Sequence, residues 1–500
     1  MFGFATLAVL LYFLYPVLLI SLSIYASRGK EANVENYFFA NRNTHWSMLG
    51  VSLLAASLFS PYIFGLTTSG LSSQVPVAYA VISAVMLIVV GRVLVPRYLE
   101  MKINTVPEFF EKRFDKNCRR FLSVIYILSN VGIRLVVILA MGKILLDSIA
   151  GIDSFSSLLF FLVVTGLYVI IGGLQAEIHA NLVQVAFIVL AVVGFMSWLL
   201  SQENGFNMMA HKIASSAHLD SGSASEYSRT GLFIGLPIIG FWFWCADQLM
   251  VQKMLSVREV QSARRGSLAG AVLQVVPLLI FLLAGIVAPT AWRTDPEGPL
   301  HWFFSNGSMP DSLRAGLIIG AVAAFMIPVA NVFNSTSALI TFDFFYSGKP
   351  EASDRQVVLV GRITAMILVL ISILLIPISQ TMDMNSCIQL FKIFLYFSAM
   401  IAGVFIVGLF NRKVTGASVL FSLSSGTFVI LLRVVLQMIV NNHQLESGLL
   451  SWFVQSTFLE FSVFIFLVSL ILLVIFNFLK LKYESSIHRN LIEEKFNVVS

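Results

Sequence analysis

The stretch Phe233–Met250 reads FIGLPIIGFWFWCADQLM. It is apolar enough to lie in a membrane, yet Gly235, Pro237 and Gly240 interrupt its first half. A proline inside a helix removes a backbone donor and clashes with the preceding turn. Asp247 follows an aromatic run, where a charged side chain costs roughly 2.5–3.5 kcal/mol and needs a partner or water. The stretch therefore predicts an interrupted membrane helix with a functional carboxylate.

A second interrupted segment lies five predicted spans earlier. There, Ser60-Pro61 falls in mid-helix and Gly65 follows. Transporters often bind solute where helices are interrupted at matching places in two repeats. Glycine and proline are also common in ordinary membrane helices, so the breaks alone leave both interpretations open. Their spacing and the Asp247 motif favour two inverted repeats of five helices.

The composition predicts a chain whose solvent is largely lipid. Of 500 residues, 58% are hydrophobic and 12% are charged, and the mean hydropathy is +0.87. A soluble domain carries about 25% charged residues. Apolar runs of the ~20 residues that cross a bilayer recur along the whole chain. We predict a single all-α membrane domain over residues 1–500 with about thirteen spans, near 4–26, 46–70, 75–98, 120–149, 154–172, 176–200, 233–251, 266–289, 313–344, 356–379, 385–410, 414–441 and 452–479.

The loop charges predict the orientation. With the N-terminus outside, most of the 32 lysines and arginines fall in cytoplasmic loops. The opposite loops hold only Lys212, Arg229, Arg293 and Arg314. Because cytoplasmic loops are enriched in Lys and Arg, we predict an outside N-terminus and a cytoplasmic C-terminus. The same bias explains the net charge of +6, so the charge does not require a nucleic-acid partner. We expect an integral protein of a bacterial inner membrane.

Two short segments carry local signals. In 105–114, TVPEFFEKRF, Pro107 suits the first turn of a short interfacial helix. Glu177 and His179 lie at the predicted start of the sixth span, where we expect a capped helix end.

Several segments resemble the sodium/solute symporter family, and most of all its sodium/glucose cotransporter branch. Phe241–Gln248, FWFWCADQ, is the most specific of them. The others follow in the family's order and spacing between about residues 37 and 417. They are YFFANRN at 37–43 with Trp46, GVSLLAAS at 50–57 with Gly65, TVPEF at 105–109, GGL at 172–174 with Gln184, FNSTS at 333–337 and TFD at 341–343.

The resemblance implies a LeuT-like fold, a 5+5 inverted repeat with one extra helix before it and two after it. The first repeat would span 46–200 and the second 233–410. This arrangement agrees with the orientation that the loop charges predict.

The resemblance also implies a sodium site, which this sequence alters. Mapped onto this chain, its backbone carbonyls come from Ala55, Leu58 and Ala324. Its two hydroxyl positions fall on Ile327 and Pro328, whose side chains carry no oxygen. Ser335, Thr336 or Ser57 would have to compensate. At a second cation position, an aspartate of the family is Asn181 here, which offers an oxygen without a charge.

The implied sugar site is altered as well. Positions where sugar transporters tend to carry Asn, His and Glu are Ser57, Tyr62 and Ala80, and a lysine position is Gln274. The aromatic pair is Phe243 and Trp244, and Gln389 maps onto a sugar-contacting glutamine if a two-residue offset is accepted. Sugar recognition uses buried groups that hydrogen-bond hydroxyls, so these changes predict altered selectivity.

Arg134 lies deep in the predicted fourth span. Sialic-acid transporters of this family resemble the chain in carrying an arginine on that helix, where it binds the substrate carboxylate. A planar guanidinium suits bidentate carboxylate recognition. An internal pair with Asp247 or with carbonyl groups is the alternative.

We therefore expect a secondary transporter that moves a sugar or a sugar-derived solute, including one with a carboxylate, by alternating access. The altered cation positions leave a sodium-independent or proton-driven carrier as an alternative, and a transporter-like solute sensor as another. No zinc-protease, nucleophile-elbow or phosphate-loop motif occurs, so we expect no enzyme and no cofactor other than the family's Na⁺. The expected partners are the lipid bilayer and a small polar solute.

Overall fold

The computed structural model describes residues 4–27, 33–58, 74–148, 153–201, 207, 231–277, 309–440 and 448–499. Over these residues the chain is helical, and its only extended pairing is an isolated bridge between Asn43 and Val257. An all-α architecture is what a membrane-spanning chain requires, because a helix satisfies its backbone hydrogen bonds internally. The predicted all-α class is confirmed.

Over the described residues, thirteen helical segments form the body of the fold. They are α1 (Phe4–Ser27), α2 (Trp46–Leu58), α3 (Ala78–Glu100), α4 (Lys116–Asp147), α5 (Ser154–Ser201), α6 (Phe233–Ala246), α7 (Gln248–Met254), α8 (Val260–Leu273), α9 (Asp311–Tyr346), α10 (Asp354–Gln380), α11 (Met384–Phe410), α12 (Gly416–Val440) and α13 (Phe458–Tyr483). Shorter helices cover Val34–Phe39, Val106–Arg113 and Leu449–Gln455.

Among the described residues, eight helices are long and apolar enough to cross a membrane, and the bent pair α6–α7 would make a ninth. Two further apolar helices, Phe13–Ser27 and Trp46–Leu58, are shorter over their described parts. The count of thirteen spans stays a prediction. Large apolar side chains such as Leu374 and Phe428 are exposed on the outer surface, as expected where lipid is the solvent.

Helix α5 contains the predicted boundary between the fifth and sixth spans. Gly173 adopts φ 55° and ψ −142° there, so the helix is divided at this residue. A Cβ atom at Gly173 would lie 2.2 Å from the carbonyl oxygen of Tyr37. Only glycine satisfies both the left-handed backbone and this close approach.

The predicted interruption of the seventh span is confirmed, but its position differs from the expectation. Helices α6 and α7 meet at an angle of 48°, and the break lies at Asp247 rather than at Pro237. Pro237 instead lies inside α6, directly after a π-helical segment over Gly231–Gly235, and the helix continues past it to Ala246. The other predicted interruption, at Ser60-Pro61, lies outside the described residues.

Helix α4 begins four residues before the predicted start at 120. Asp115 caps it by accepting a hydrogen bond from the backbone N–H of Cys118 at 2.9 Å. Arg119 therefore belongs to the helix and is buried, not part of a loop. The short helix Val106–Arg113 is present as predicted, with Thr105 as its cap and Pro107 in its first turn.

Candidate functional site

The break between α6 and α7 frees backbone carbonyls that two tyrosines bind. Asp247 has an extended backbone, with φ −70° and ψ 128°. The hydroxyls of Tyr98 and Tyr126 donate to the carbonyls of Cys245 and Ala246, each at 2.7 Å. Buried carbonyls without partners are costly, so these tyrosines stabilise the interruption.

Asp247 serves the break in a second way. Its Oδ1 accepts from the N–H of Leu249 at 3.2 Å and so caps α7. Its Oδ2 lies 2.5 Å from a guanidinium nitrogen of Arg134, and Oδ1 lies 3.5 Å from the other terminal nitrogen. Exposure of the two side chains is only 8% for Arg134 and 1% for Asp247. The aspartate and the arginine therefore compensate each other's charge inside the protein.

Arg134 also connects the break to α9 and α11. It donates to the Oδ1 of Asn130 at 3.1 Å, and Asn130 donates onward to Thr336 at 3.1 Å. The guanidinium lies 4.5 Å from the centre of the Phe394 ring, close enough for a cation–π contact. Of the two predicted roles of Arg134, the structure contains the internal pair with Asp247.

Ser57 and Gln274, both predicted to bind solute, are brought together. The Nε2 of Gln274 donates to the Oγ of Ser57 at 3.3 Å, across the contact of α2 with the end of α8. Both residues are buried. A serine hydroxyl and an amide offer uncharged donors and acceptors, the groups that bind hydroxyls.

The predicted aromatic pair lines a small cavity. The Phe243 and Trp244 rings lie 5.1 Å apart at 88°. Together with Tyr79, Phe391 and other residues of α3, α6, α11 and α13, they enclose about 50 Å³. Small-molecule sites usually measure ~300–1,000 Å³, so this cavity would admit only part of a sugar.

Two other predicted contacts, Gln389 and Ala80, do not line this cavity. Gln389 is exposed on α11 and does not line it, while Phe391, two residues further on, does. Ala80 is buried on α3. Tyr62 lies outside the described residues. The assignment of Gln389 depended on a two-residue offset, and the structure places this residue on the exposed side of α11.

The predicted sodium positions meet in an apolar contact between α2 and α9. Ala55, Leu58 and Ile327 belong to one buried apolar cluster, and Ala324 packs against it. Pro328 is inside α9. Because proline has no N–H, the carbonyl of Ala324 loses the donor that a regular helix would supply. One backbone oxygen is thus freed where the two side-chain oxygens are missing.

The hydroxyls that could compensate form other hydrogen bonds. Ser57 donates to the carbonyl of Leu54 at 2.8 Å, and Ser335 donates to the carbonyl of Val332 at 3.3 Å. Thr336 accepts the bond from Asn130. At the second cation position, Asn181 donates to the hydroxyl of Ser52 at 2.9 Å.

A buried ion pair, which the sequence interpretation missed, lies one helical turn from Asn181. Glu177 and Lys253 are both 1% exposed, and the lysine Nζ lies 2.7 Å from the carboxylate. Asn334 donates to the same carboxylate at 2.5 Å, and Lys253 donates to the backbone carbonyl of Ser52 at 3.3 Å. The expectation that Glu177 caps a helix is wrong.

A second buried cluster joins two of the segments that carry the family resemblance. Asp343 accepts from Arg119 at 2.9 Å, from Thr105 at 2.6 Å and from Ser123 at 2.7 Å. Arg119 also binds Glu111. The sequence does not reveal this cluster, because Arg119 precedes the predicted start of the fourth span and falls in a predicted loop.

No group of three or more His, Cys, Asp or Glu residues in the described part of the chain is arranged to hold a metal ion. The three cysteines are buried and unpaired. The described side chains around the broken helix form hydrogen bonds, aromatic contacts and an ion pair.

These features define a membrane transporter of the secondary, alternating-access class, built on broken helices. Residues 37–426 match the sodium:solute symporter family, and the chain belongs to that family. The resemblance on which the sequence interpretation relied is confirmed.

Curated relatives include the sodium/myo-inositol cotransporter 2 of Bos taurus, which is 27% identical over 468 residues, or 85% of this chain and 69% of the relative. The sodium/glucose cotransporter 4 of Danio rerio is 27% identical over 466 residues, or 85% and 71%. Among solved structures, a Na⁺-coupled sialic acid symporter in a substrate-bound, outward-open state superposes with a TM-score of 0.77 and 17% identity. That match covers 95% of this chain and 98% of the symporter, and it shows a shared LeuT-like fold.

Proposed function

We propose that this protein carries a neutral polyhydroxylated solute, a sugar or a cyclic polyol, across the bilayer by alternating access. The buried pair of Arg134 and Asp247 carries the proposal. A carboxylate substrate would have to displace Asp247 from the arginine and leave that aspartate buried without its partner. A neutral solute needs no such exchange.

The uncharged groups nearby support the same substrate class. Ser57 and Gln274 supply hydroxyl and amide groups, and Phe243 and Trp244 supply aromatic surfaces against which a sugar ring can pack. The curated relatives named above are cotransporters of myo-inositol and glucose. A sugar-derived acid is the second candidate, favoured by the position of Arg134 in the family and by the sialic acid symporter.

Uptake into proteoliposomes tests the substrate class. The panel contains myo-inositol, glucose, mannose and sialic acid, each with wild-type protein and with Trp244→Ala. We expect flux of a neutral member that falls in the variant. Uptake of sialic acid alone would favour the second candidate, and binding without flux would favour a sensor. No binding or flux for any member would contradict the proposal.

We further propose that transport does not use the family's sodium site. The apolar cluster of Ala55, Leu58 and Ile327 supports this, because a hard cation needs several oxygen ligands. Lys253 supports it too, since its ammonium already binds the carbonyl of Ser52, one turn from Ala55.

The coupling proposal is tested by uptake at fixed pH and membrane potential while an impermeant organic cation replaces Na⁺. We expect little change in rate. A steep rise with Na⁺ would contradict the proposal. If Na⁺ has no effect, collapse of the pH gradient then separates a proton-driven carrier, which slows, from a uniporter, which does not.

We also propose that the N-terminus lies outside and the C-terminus lies in the cytoplasm. The two repeats of the proposed fold cover residues 46–200 and 233–410. The three native cysteines are buried, so single cysteines introduced at exposed positions can report sidedness. An impermeant thiol reagent applied to intact cells should not label Arg355→Cys, because this position is predicted to be cytoplasmic. It should label Asp383→Cys, because this position is predicted to lie outside. The reverse pattern would contradict the orientation.

A further inference from the structure

A groove with three arginines lies between α3 and α8. Its volume is about 500 Å³, and Arg92, Arg264 and Arg265 line it together with Gln261, Ile88 and Leu268. The arginines are exposed. In the part of the chain that the structure describes, none of the three forms an ion pair or a hydrogen bond. Three uncompensated positive charges therefore share one groove.

The local backbone brings the three arginines together. Residues Val90–Leu94 form a π-helical segment, which changes the direction of the side chains on α3. A Cβ atom at Gly91 would lie 2.5 Å from the Oγ of Ser267, so the two helices touch at this glycine. Arg92 follows the contact on one helix, and Arg265 lies two residues before it on the other. This close contact fixes the groove.

Each helix continues from its arginines into an exposed aliphatic stripe. On α3 the same face carries Val85 and Val81, which are 48% and 56% exposed. On α8 it carries Leu268 and Val272, which are 50% and 67% exposed. On both helices the stripe leads from the arginines away from the nearer helix end, which is Glu100 on α3 and Val260 on α8.

The arginines match the charged headgroup of an anionic phospholipid, and the aliphatic stripes beside them match its acyl chains. The guanidinium group binds phosphate through two parallel hydrogen bonds. Basic pockets between membrane helices bind anionic headgroups. Arg92 lies eight residues before the end of α3 at Glu100, about 12 Å along the helix at 1.5 Å per residue.

We propose that this groove is a binding site for an anionic phospholipid, whose phosphate binds the three arginines and whose acyl chains cover the two aliphatic stripes. The site is separate from the residues assigned to solute. It requires only that the chain lie in a membrane, so it stands or falls independently of the proposed substrate and of the coupling ion.

The experiment compares delipidated wild-type protein with two triple variants. The test variant is Arg92→Gln, Arg264→Gln and Arg265→Gln. The control is Arg120→Gln, Arg355→Gln and Arg412→Gln, which removes the same net charge from three exposed positions outside the groove. Native mass spectrometry and thermal melting measure the binding of phosphatidylglycerol, of phosphatidylcholine with the same acyl chains, and of glycerol phosphate.

We expect wild type and control to bind phosphatidylglycerol more tightly than phosphatidylcholine. The test variant should lose affinity for phosphatidylglycerol by about tenfold or more, because each arginine contributes to anionic-lipid attraction. Equal loss in the control, or no preference of wild type for phosphatidylglycerol, would overturn the proposal. Binding of glycerol phosphate as tight as that of the lipid would assign the site to a soluble anion instead. If the triple variant does not fold, the proposal is tested with Arg92→Gln alone and with the preference of wild-type protein for phosphatidylglycerol over phosphatidylcholine.

Discussion

The break at Asp247 and the contact of α2 with α9 differ in how they satisfy their backbone. At the break, Tyr98 and Tyr126 bind freed carbonyls, and Arg134 compensates the aspartate. At the α2–α9 contact, Pro328 frees the carbonyl of Ala324, yet its neighbours Ile327 and Ala55 are apolar. The first region pairs its freed carbonyls and its aspartate with polar side chains, whereas the second surrounds a freed carbonyl with apolar side chains. The two regions therefore treat freed backbone carbonyls in opposite ways within one fold.

The largest expected effect is at the break. Asp247→Asn leaves Arg134 buried without a counter-charge, which should lower the free energy of unfolding by about 3–5 kcal/mol. Thermal or denaturant unfolding in detergent measures the loss. Asp311→Asn is the matched control, because Asp311 faces Arg314 at 3.9 Å but is 56% exposed, and its loss should stay below about 1 kcal/mol.

A double variant shows whether the loss reflects the unpaired charge. Arg134→Met combined with Asp247→Asn should recover part of the stability, since neither buried charge remains. A double variant as unstable as the sum of the two single variants would contradict the pairing and the argument for a neutral solute.

The second expected effect concerns the ion pair near Asn181. Glu177→Gln should cost about 3 kcal/mol, because Lys253 stays buried and loses its counter-charge. Glu35 pairs with Arg42 at the same 2.7 Å distance but is 53% exposed. The free energy of unfolding of Glu35→Gln should therefore differ from that of wild type by less than about 1 kcal/mol. Equal losses in the two variants would mean that burial does not determine the strength of these pairs.

The limits of the sequence interpretation follow from the same regions. The break could be predicted because an aspartate in an apolar span is rare, and its partner Arg134 was one of two alternatives. Its position could not be predicted, since α6 continues past Pro237 after a π-helical segment, and Asp247 ends the helix by capping the next one. The pair of Glu177 and Lys253 depends on contacts between residues 76 positions apart, which no local pattern encodes. Arg119 was missed for a local reason, the cap at Asp115.

A smaller effect is expected at the carbonyls of the break. Tyr126→Phe removes the donor to the carbonyl of Ala246 but keeps the ring, which stacks on Trp242 at 6.3 Å. A buried acceptor left without a partner costs about 1–3 kcal/mol. Tyr25→Phe is the control, because Tyr25 is 74% exposed. If unfolding in detergent shows the same small change for both variants, the tyrosine does not stabilise the interruption.

The smallest expected effect is a gain at the α2–α9 contact. Ile327→Ser with Pro328→Thr adds two hydroxyls beside the carbonyls of Ala55 and Ala324, the ligand type that a hard cation prefers. If a site forms, sodium at ten times its dissociation constant should raise the free energy of unfolding by about 1.4 kcal/mol over the same variant without sodium. Ile327→Val with Pro328→Ala changes the same positions without adding oxygen and should show no sodium effect. Wild-type protein that is already stabilised by sodium to this extent would show that the freed backbone carbonyls suffice, and the proposed loss of sodium coupling would then be wrong.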